Sequence, residues 1–534
     1  MSEDLNNSSR VSVGASSASA VAESPNQQEH DVRRLAAGTG IALGGKMLGG
    51  GARLAVDIAL ARLLGPFNYG LYAIGWTLLR FVALFSPLGL NAGAIHFGAR
   101  YWRRDDGRFK GVVLQSLRLA LLSGGVMGLG FYLAAPWLGE RVFQKPDVVP
   151  VIQCFGFVFP LLSGLTVAAA VTRVSQRMKF SVLSEDLGEP TAQLALIFLL
   201  FWMWKGGLAA AMAACIFAYG FGLLQGLRFI RRLFPEVSSK QVKAVDPGKG
   251  LLAYSLPTAL TGVFGVLLIW VDRLLVGYFR PAAEVGIYQA SSQLAVSFAL
   301  ILVAFNAIFS PMTADFFHRG QIGRLEELYR VSTKWGLYLS LPGFMIMFFA
   351  SRSVMTVLYG HAYAAGWIAL SILALGQVVN AGTGPCGSLL VMTGHQNKLF
   401  IISGLTFVVS VILGLILIPR WGMAGAAIST TLSLSGLFIS SVLLARRVLG
   451  MRPHDRRFSK GVLATALTLT ALILLRFVHI SSPVLSLVLN SILSIGVFGG
   501  TLLLCGLEPE DRHFIDLIRA RMMQNRGRVI GERA

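Results

Sequence analysis

Apolar stretches long enough to cross a bilayer follow one another from residue 37 to residue 504 with only brief loops between them. Few folds accommodate such a chain. A spanning helix needs about 20 mainly apolar residues, and inside hydrocarbon only helices and closed barrels satisfy their own backbone polar groups. Fourteen runs qualify, at about 37–64, 69–97, 111–138, 149–171, 191–204, 207–229, 251–279, 285–309, 335–350, 365–392, 399–418, 423–445, 461–478 and 484–504. The fifth and ninth are short. Only 14% of residues are charged, against about 25% in soluble proteins. The expected fold class is an all-α polytopic membrane protein of about 14 transmembrane helices with no inserted soluble domain.

The formal net charge of +21 invites a nucleic-acid reading, but the basic residues sit in short loops, where topology selects them. With the N-terminus inside, they fall on alternate loops. Inside loops hold Arg100, Arg103, Arg104, Arg108 and Lys110, then Arg173, Arg177 and Lys179, then Arg231, Arg232, Lys240, Lys243 and Lys249. Further along come Arg319, Arg324 and Arg330, then Arg446, Arg447, Arg452, Arg456, Arg457 and Lys460. Outside loops carry one or two each, such as Arg141 with Lys145. The asymmetry places both termini in the cytoplasm and makes membrane lipids, not nucleic acid, the partner of the basic face. Residues 1–34 are Ser-, Asn- and Glu-rich and read as a disordered cytoplasmic tail. Cys154, Cys215, Cys386 and Cys505 lie in apolar runs at scattered spacing, so no disulfide, metal or cofactor is implied.

The first two-thirds of the chain look duplicated. Val56-Asp57 answers to Val271-Asp272, Pro66 to Pro281, Gly70-Leu71-Tyr72 to Gly286-Ile287-Tyr288, Gly107-Arg108 to Gly323-Arg324, Ser116 to Ser332 and Gly207 to Gly422. Six spans per unit make the halves parallel, about an axis along the membrane normal. The expected organisation is one six-helix lobe at 35–232, a cytoplasmic linker at 233–250, a second six-helix lobe at 251–447, helices 13–14 at 448–505 and a cytoplasmic tail at 506–534.

Polar residues recur at depth. Lys46, Arg53 and Asp57 fall within about 40° of one another on a helix, and the spacing of Arg53 and Asp57 invites an ion pair. Lys46 has no partner in its own span, and an unpaired cation at mid-bilayer costs at least about 2.5–3.5 kcal/mol. A hydrated cavity or an anionic ligand would relieve that penalty. Arg80 and Asn91 in the second span repeat the i, i+11 stripe, as do Thr261 and Asp272 in the seventh, where Arg273 follows. Gln377, Asn380 and Thr383 form a polar stripe in the tenth. The glycines at 40, 44, 45, 49 and 50 would let neighbouring helices approach closely. Gly40-x4-Gly45-Lys46 is no phosphate loop, because Met47 replaces the hydroxyl residue and no strand precedes it. No nucleophile–base set or clustered metal ligands are visible, so the chain reads as a non-enzyme.

The run Ala61-Arg62-Leu63-Leu64-Gly65-Pro66-Phe67-Asn68-Tyr69-Gly70-Leu71-Tyr72 resembles the opening motif of the polysaccharide transporter family. These are the Wzx-type oligosaccharide flippases of the multidrug/oligosaccharidyl-lipid/polysaccharide exporter superfamily. Asp272-Arg273-Leu274-Leu275-Val276-Gly277-Tyr278, Thr393-Gly394-His395-Gln396-Asn397-Lys398, and Ile418-Pro419 through Gly425-Ala426-Ala427 are similar to further parts of it. The resemblance implies two six-helix lobes around a cavity that opens alternately to either side. It also implies a polyprenyl-diphosphate-linked sugar repeat unit as substrate, with a glycan polymerase and a chain-length regulator as further partners. On that reading Lys46, Arg53, Arg80, Asn91, Gln377 and Asn380 bind substrate in a cationic interior, and helices 13–14 shelter the lipid tail. Asp57, Asp272 and Arg273 then serve coupling or gating.

Two rivals are weaker. A multidrug/cation antiporter of the same superfamily would favour an anionic or aromatic cavity, and usually lacks the last hairpin. A glycan polymerase or ligase would need a large external loop, whereas the longest here is about 15 residues.

Overall fold

The structure, a computed structural model, describes residues 25–204, 206–246, 250–260, 263–455, 457–478, 480–506, 508 and 511. Thr261, Lys249, Arg456, residues 1–24 and the chain beyond 511 lie outside the described residues. Every regular element among those described is helical. The first half comprises α1 (Pro25–Ala83), α2 (Leu90–Tyr101), α3 (Asp106–Pro136), α4 (Val149–Gly156), α5 (Val158–Arg173), α6 (Met178–Ser181), a π-helical stretch (Val182–Gly188), α7 (Glu189–Trp204), α8 (Leu208–Leu233) and α9 (Pro235–Ser238). The second comprises α10 (Gly250–Leu260), α11 (Val263–Phe279), α12 (Ala282–Phe298), α13 (Leu300–His318), α14 (Ile322–Phe349), α15 (Ser351–Tyr359), α16 (Trp367–Thr383), α17 (Cys386–Met392) and α18 (Gln396–Leu449). A hairpin of α19 (Phe458–Leu475) and α20 (Pro483–Leu504) follows.

Among the described residues, seven helices are long and apolar enough to cross a membrane by themselves, or nine if each bent pair is one span. Two of the longest helices are really two passages each. The first, α1, breaks at Gly65 (φ +70°), ahead of Pro66, and α18 breaks at Gly422 (φ +56°). Glycine is the residue that takes a positive φ without strain, and proline cannot continue the hydrogen-bond ladder. At Gly422 space is short as well, since a Cβ there would lie 2.8 Å from Arg280 Nη2. With these breaks counted, the chain order is compatible with fourteen spans.

The breaks follow the duplication. The reversal at Gly65-Pro66 matches that at Arg280-Pro281, and Gly422 matches Gly207, which caps α8. The two halves meet where the second part of α1 crosses α12, at Gly70 and Gly286. The same end is tied by side chains. The Arg62 guanidinium donates to Val357 O and, at 2.7 Å, to Leu358 O, and Tyr363 Oη donates to Ala61 O at 2.7 Å. Lys145 Nζ reaches Gly277 O at 2.6 Å, and burial pushes its ammonium below its ordinary pKa.

The fifth span starts earlier than 191. Residues 178–204 run as one interrupted helical passage through the π-helical stretch. Likewise α14 begins at Ile322 rather than near 335.

The hairpin α19–α20 packs on α14. Gly461 lies against the Tyr338 ring, where a Cβ would come within 2.2 Å of it, and Gly461 N donates to Tyr338 Oη at 3.0 Å. Ser494 Oγ donates to Pro342 O at 2.9 Å. Its outer face is apolar and exposed, as Val462, Phe477 and Leu504 illustrate, which suits contact with lipid. Beyond α20, Asp511 pairs with Lys334 at 2.9 Å and accepts from Trp335 Nε1 at 2.7 Å, while Glu508 pairs with Lys460 at 2.7 Å.

Candidate functional site: a polar cavity between the halves

A cavity of about 680 Å³ lies between the two halves. The first half contributes Arg53, Asp57, Tyr69, Tyr72, Trp76, Arg80, Asn91, Glu189 and Gln193 to its wall, and the second contributes Thr258, Trp270, Gln289 and Gln293.

The placement of Arg53 follows from small residues and a proline. Pro190 has no N–H to give back to the carbonyl of Asp186, and the helix loosens into π geometry just before it. Gly49 of α1 packs against that carbonyl, where a Cβ would come within 2.2 Å, and Gly45 packs on Val182. Residues 45, 49 and 53 share one helical face, so the same contact delivers Arg53 to this segment. Its Nη2 donates to Glu185 O at 3.3 Å and pairs with Glu189 at 3.4 Å. Glu185 in turn pairs with Arg173 at 2.6 Å.

Arg53 therefore does not pair with Asp57, contrary to the expectation from their spacing. The Asp57 carboxylate accepts from Tyr69 Oη through Oδ1 and from Tyr359 Oη through Oδ2, the latter at 3.0 Å. Two buried phenols outweigh an i, i+4 pair, which is worth only about 0.2–0.5 kcal/mol. The tyrosines come from opposite halves, so Asp57 is part of the closure at the Gly65 end.

Arg80 lies over the Trp76 ring, 4.5 Å from its centroid, and donates to Tyr219 Oη at 3.2 Å. Its Nε is buried without a hydrogen-bond partner. Gln193 Nε2 donates to Tyr72 Oη at 3.1 Å on the same wall. Asn91 lines the cavity as the stripe with Arg80 suggested.

Three placements differ from the sequence expectation. Lys46 is exposed and does not line this cavity: it shares the face of Arg53 but lies about two turns, roughly 10 Å, before it along α1. Asp272 and Arg273 are each only 3% exposed and form a satisfied cluster within the second half. Asp272 Oδ2 accepts from Tyr288 at 2.6 Å and Thr430 at 3.0 Å, while Arg273 donates to Gln289 at 2.7 Å, to Ser292 at 2.8 Å and to Ile269 O. Gln377 borders the small hollow beside that cluster, and Asn380 donates to Gln377 at 3.1 Å, so neither amide reaches the central cavity. The substrate-binding set read from sequence is thus divided: Arg53, Arg80 and Asn91 line the cavity, Gln377 and Asn380 lie at the small hollow, and Lys46 is at neither.

The electrostatics also differ. Among the described lining residues, two arginines face two carboxylates, Asp57 and Glu189, so the formal charges cancel. The cavity is balanced rather than cationic. Glu189, Gln193, Gln289 and Gln293 escaped the sequence reading. The signal for Glu189 was a fifth run only fourteen residues long, too short to cross unless Glu185, Asp186 and Glu189 entered the span with it.

Comparison with known proteins matches this arrangement. The chain has the fold of the lipid II flippase MurJ in an inward closed conformation (TM-score 0.65, 16% identity, 85% of this chain and 97% of that one). An inward-facing MATE-family multidrug transporter is similarly close (TM-score 0.64, 17% identity, 77% and 98%). A probable low-salt glycan biosynthesis flippase of Haloferax volcanii is 24% identical over 272 residues, half of this chain and 57% of that protein. The succinoglycan biosynthesis transport protein ExoT of Rhizobium meliloti is 22% identical over 338 residues, 62% of this chain and 63% of that protein. The chain thus spans less than two-thirds of the length of either relative. Residues 257–416 match the MatE family. Residues 35–317, more than half of the chain, match the family described as polysaccharide biosynthesis protein, and this multi-pass membrane protein belongs to that family.

Proposed function

We propose that the chain is a flippase that carries polyprenyl-diphosphate-linked oligosaccharide repeat units, of an O-antigen, exopolysaccharide or capsule, across the bacterial inner membrane by alternating access. The observation that supports it most is the cavity itself: arginines, amides and aromatic rings gathered between two apolar helical halves. A glycan cannot cross hydrocarbon unaided, because each unsatisfied polar group costs several kcal/mol there. Amides and hydroxyls replace the water of the sugars, aromatic faces offer them apolar contact, and Arg53 and Arg80 meet the diphosphate. Both termini then lie in the cytoplasm, as the basic loops require, and a polymerase with its chain-length regulator takes the product on the far side.

A test is depletion of the protein in its own host. Lipid-linked repeat units should accumulate on the cytoplasmic leaflet, inaccessible to an external lectin, and reappear outside on re-expression. Normal external display after depletion would reject the reading. The carboxylates and the tryptophans of the cavity favour a second reading, a cation antiporter. That protein would leave glycan display unchanged and raise resistance to cationic dyes.

A further inference from the structure

We propose that Glu189 is a proton acceptor switched by the ligand: an anionic group that takes Arg53 away from it leaves a buried carboxylate that binds a proton, so ligand and proton enter the cavity together. The inference rests on the flippase reading for the nature of the ligand, but its site is independent of that reading.

The argument is one of exchange between partners. The Glu189 side chain is 4% exposed, whereas that of Arg53 is 40% exposed. Arg53 alone of this pair is open to something entering the cavity. At 3.4 Å the pair is long for a charge-assisted bond, which is ordinarily about 2.7–2.9 Å. A diphosphate offers Arg53 more charge and a bidentate fit.

Once Arg53 turns to the ligand, Glu189 has few ways to remain ionised. The charged and titratable groups facing it are Arg53 and Arg80 from α1, and Cys215 and Tyr219 from α8. Arg80 is itself on the cavity wall and engaged by Trp76 and Tyr219. Tyr72 is held by Gln193. Glu185 one turn back is already paired with Arg173, and neither it nor Asp186 offers Glu189 a counter-charge. A buried carboxylate stripped of its counter-charge is neutralised rather than carried. The lining makes the same demand as a whole, because two arginines already balanced by two carboxylates cannot also neutralise a diphosphate. Protonation of Glu189 releases one positive charge for it. The step is a simple transfer: water reaching the cavity delivers a proton to a Glu189 carboxylate oxygen, and no other bond changes.

The test uses the purified full chain in detergent and farnesyl diphosphate as the probe. Titration is followed by calorimetry at pH 8, in buffers of different ionisation enthalpy, where a phosphate with a second pKa of about 6 is nearly fully ionised. The wild-type protein should take up close to one proton per ligand bound, and its affinity should fall up to about tenfold per pH unit between pH 7 and 8.5. Glu189→Gln should bind at least as tightly, without proton uptake and with a flat pH profile. Glu189→Asp should restore the uptake, which a merely structural role for Glu189 would not require. Binding without proton uptake in the wild type, or uptake retained in Glu189→Gln, overturns this inference and leaves the flippase reading standing. No binding of farnesyl diphosphate at all, against normal glycan display by the cells, overturns the diphosphate site and this inference with it. Loss of the flippase reading shows instead in the lectin assay.

Discussion

Gly70 and Gly286, counterparts in the two repeats, each press against the other's helix. A Cβ on Gly70 would lie 1.7 Å from Ala282 O, and one on Gly286 would lie 2.2 Å from Pro66 O. Pro66 and Ala282 are separated by the same 216 residues as Gly70 and Gly286, so the contact is reciprocal, as a two-fold axis between parallel halves demands. The crossing closes the cavity at the end where Arg62, Tyr359 and Tyr363 also tie the halves together. Buried apolar side chains of both helices, Leu64 and Leu71 of α1 with Val285 and Ala290 of α12, flank the crossing.

Gly286→Ala should therefore disfavour this closed arrangement. Overpacking at a tight contact costs about 1–3 kcal/mol, or roughly tenfold in a two-state equilibrium. Leu60→Cys, on the cavity wall near this end, reports it: reactivity toward a membrane-impermeant thiol reagent from outside should rise when Gly286→Ala is added. Unchanged reactivity would show that the crossing does not govern access.

Arg80 and Lys46 separate the cavity from the helix that carries it. Arg80→Gln removes a charged donor set worth about 1.5–3 kcal/mol to an anionic ligand, and surface glycan should fall at least tenfold at normal membrane levels of the protein. Lys46→Ala should leave most of it, because Lys46 is off the cavity wall. Equal losses in the two variants, measured by glycan immunoblot, would contradict this placement of the binding groups.

Most of the fold was legible because hydrocarbon imposes one rule on every span, and the duplication was legible because its markers are backbone features. Pro66 and Pro281, Gly70 and Gly286, and Gly207 and Gly422 mark reversals and crossings, and at Gly70, Gly286 and Gly422 a side chain would meet neighbouring atoms. Arg53, Asp57, Arg80 and Asn91 were legible for a different reason, since each is costly in lipid and must face something polar. Their partners were not. The i, i+4 spacing of Arg53 and Asp57 is a local signal, while Tyr359 reaches Asp57 from 302 residues away. Glu189 was hidden by the proline beside it, which made a buried π-helical segment look like the end of a loop.

Asp272 is the repeat counterpart of Asp57 and is followed by Arg273, yet the surroundings of this adjacent pair predict a different response. Both are buried with their hydrogen-bonding groups engaged. Removing one partner of such a cluster costs about 3–5 kcal/mol, so Asp272→Asn and Arg273→Met should each lower the thermal midpoint and expression of the purified protein. A cysteine at 272 should resist a water-soluble thiol reagent under conditions that label one at 57. Rapid labelling at 272 would place water where the structure has packing.

The segment after α20 gives a pH prediction of definite sign. The Lys460 hydrogen bond holds the Glu508 carboxyl below its ordinary value of 4.5. Burial alone would raise Asp511, but hydrogen bonds from Trp335 and Lys334 outweigh it and hold this carboxyl below 3.8. A carboxylate depressed in the folded state contributes its stabilisation above the unfolded value and loses it as pH falls through the folded one. The contact of this segment with α14 and α19 should therefore be constant from pH 5 to 8 and weaken only below about pH 4. Hydrogen exchange of the α19–α20 hairpin checks it: protection should be flat across the neutral range and drop at pH 3, and Asp511→Asn should bring that drop to neutral pH. Protection that already falls between pH 7 and 5 would mean that another group holds the hairpin.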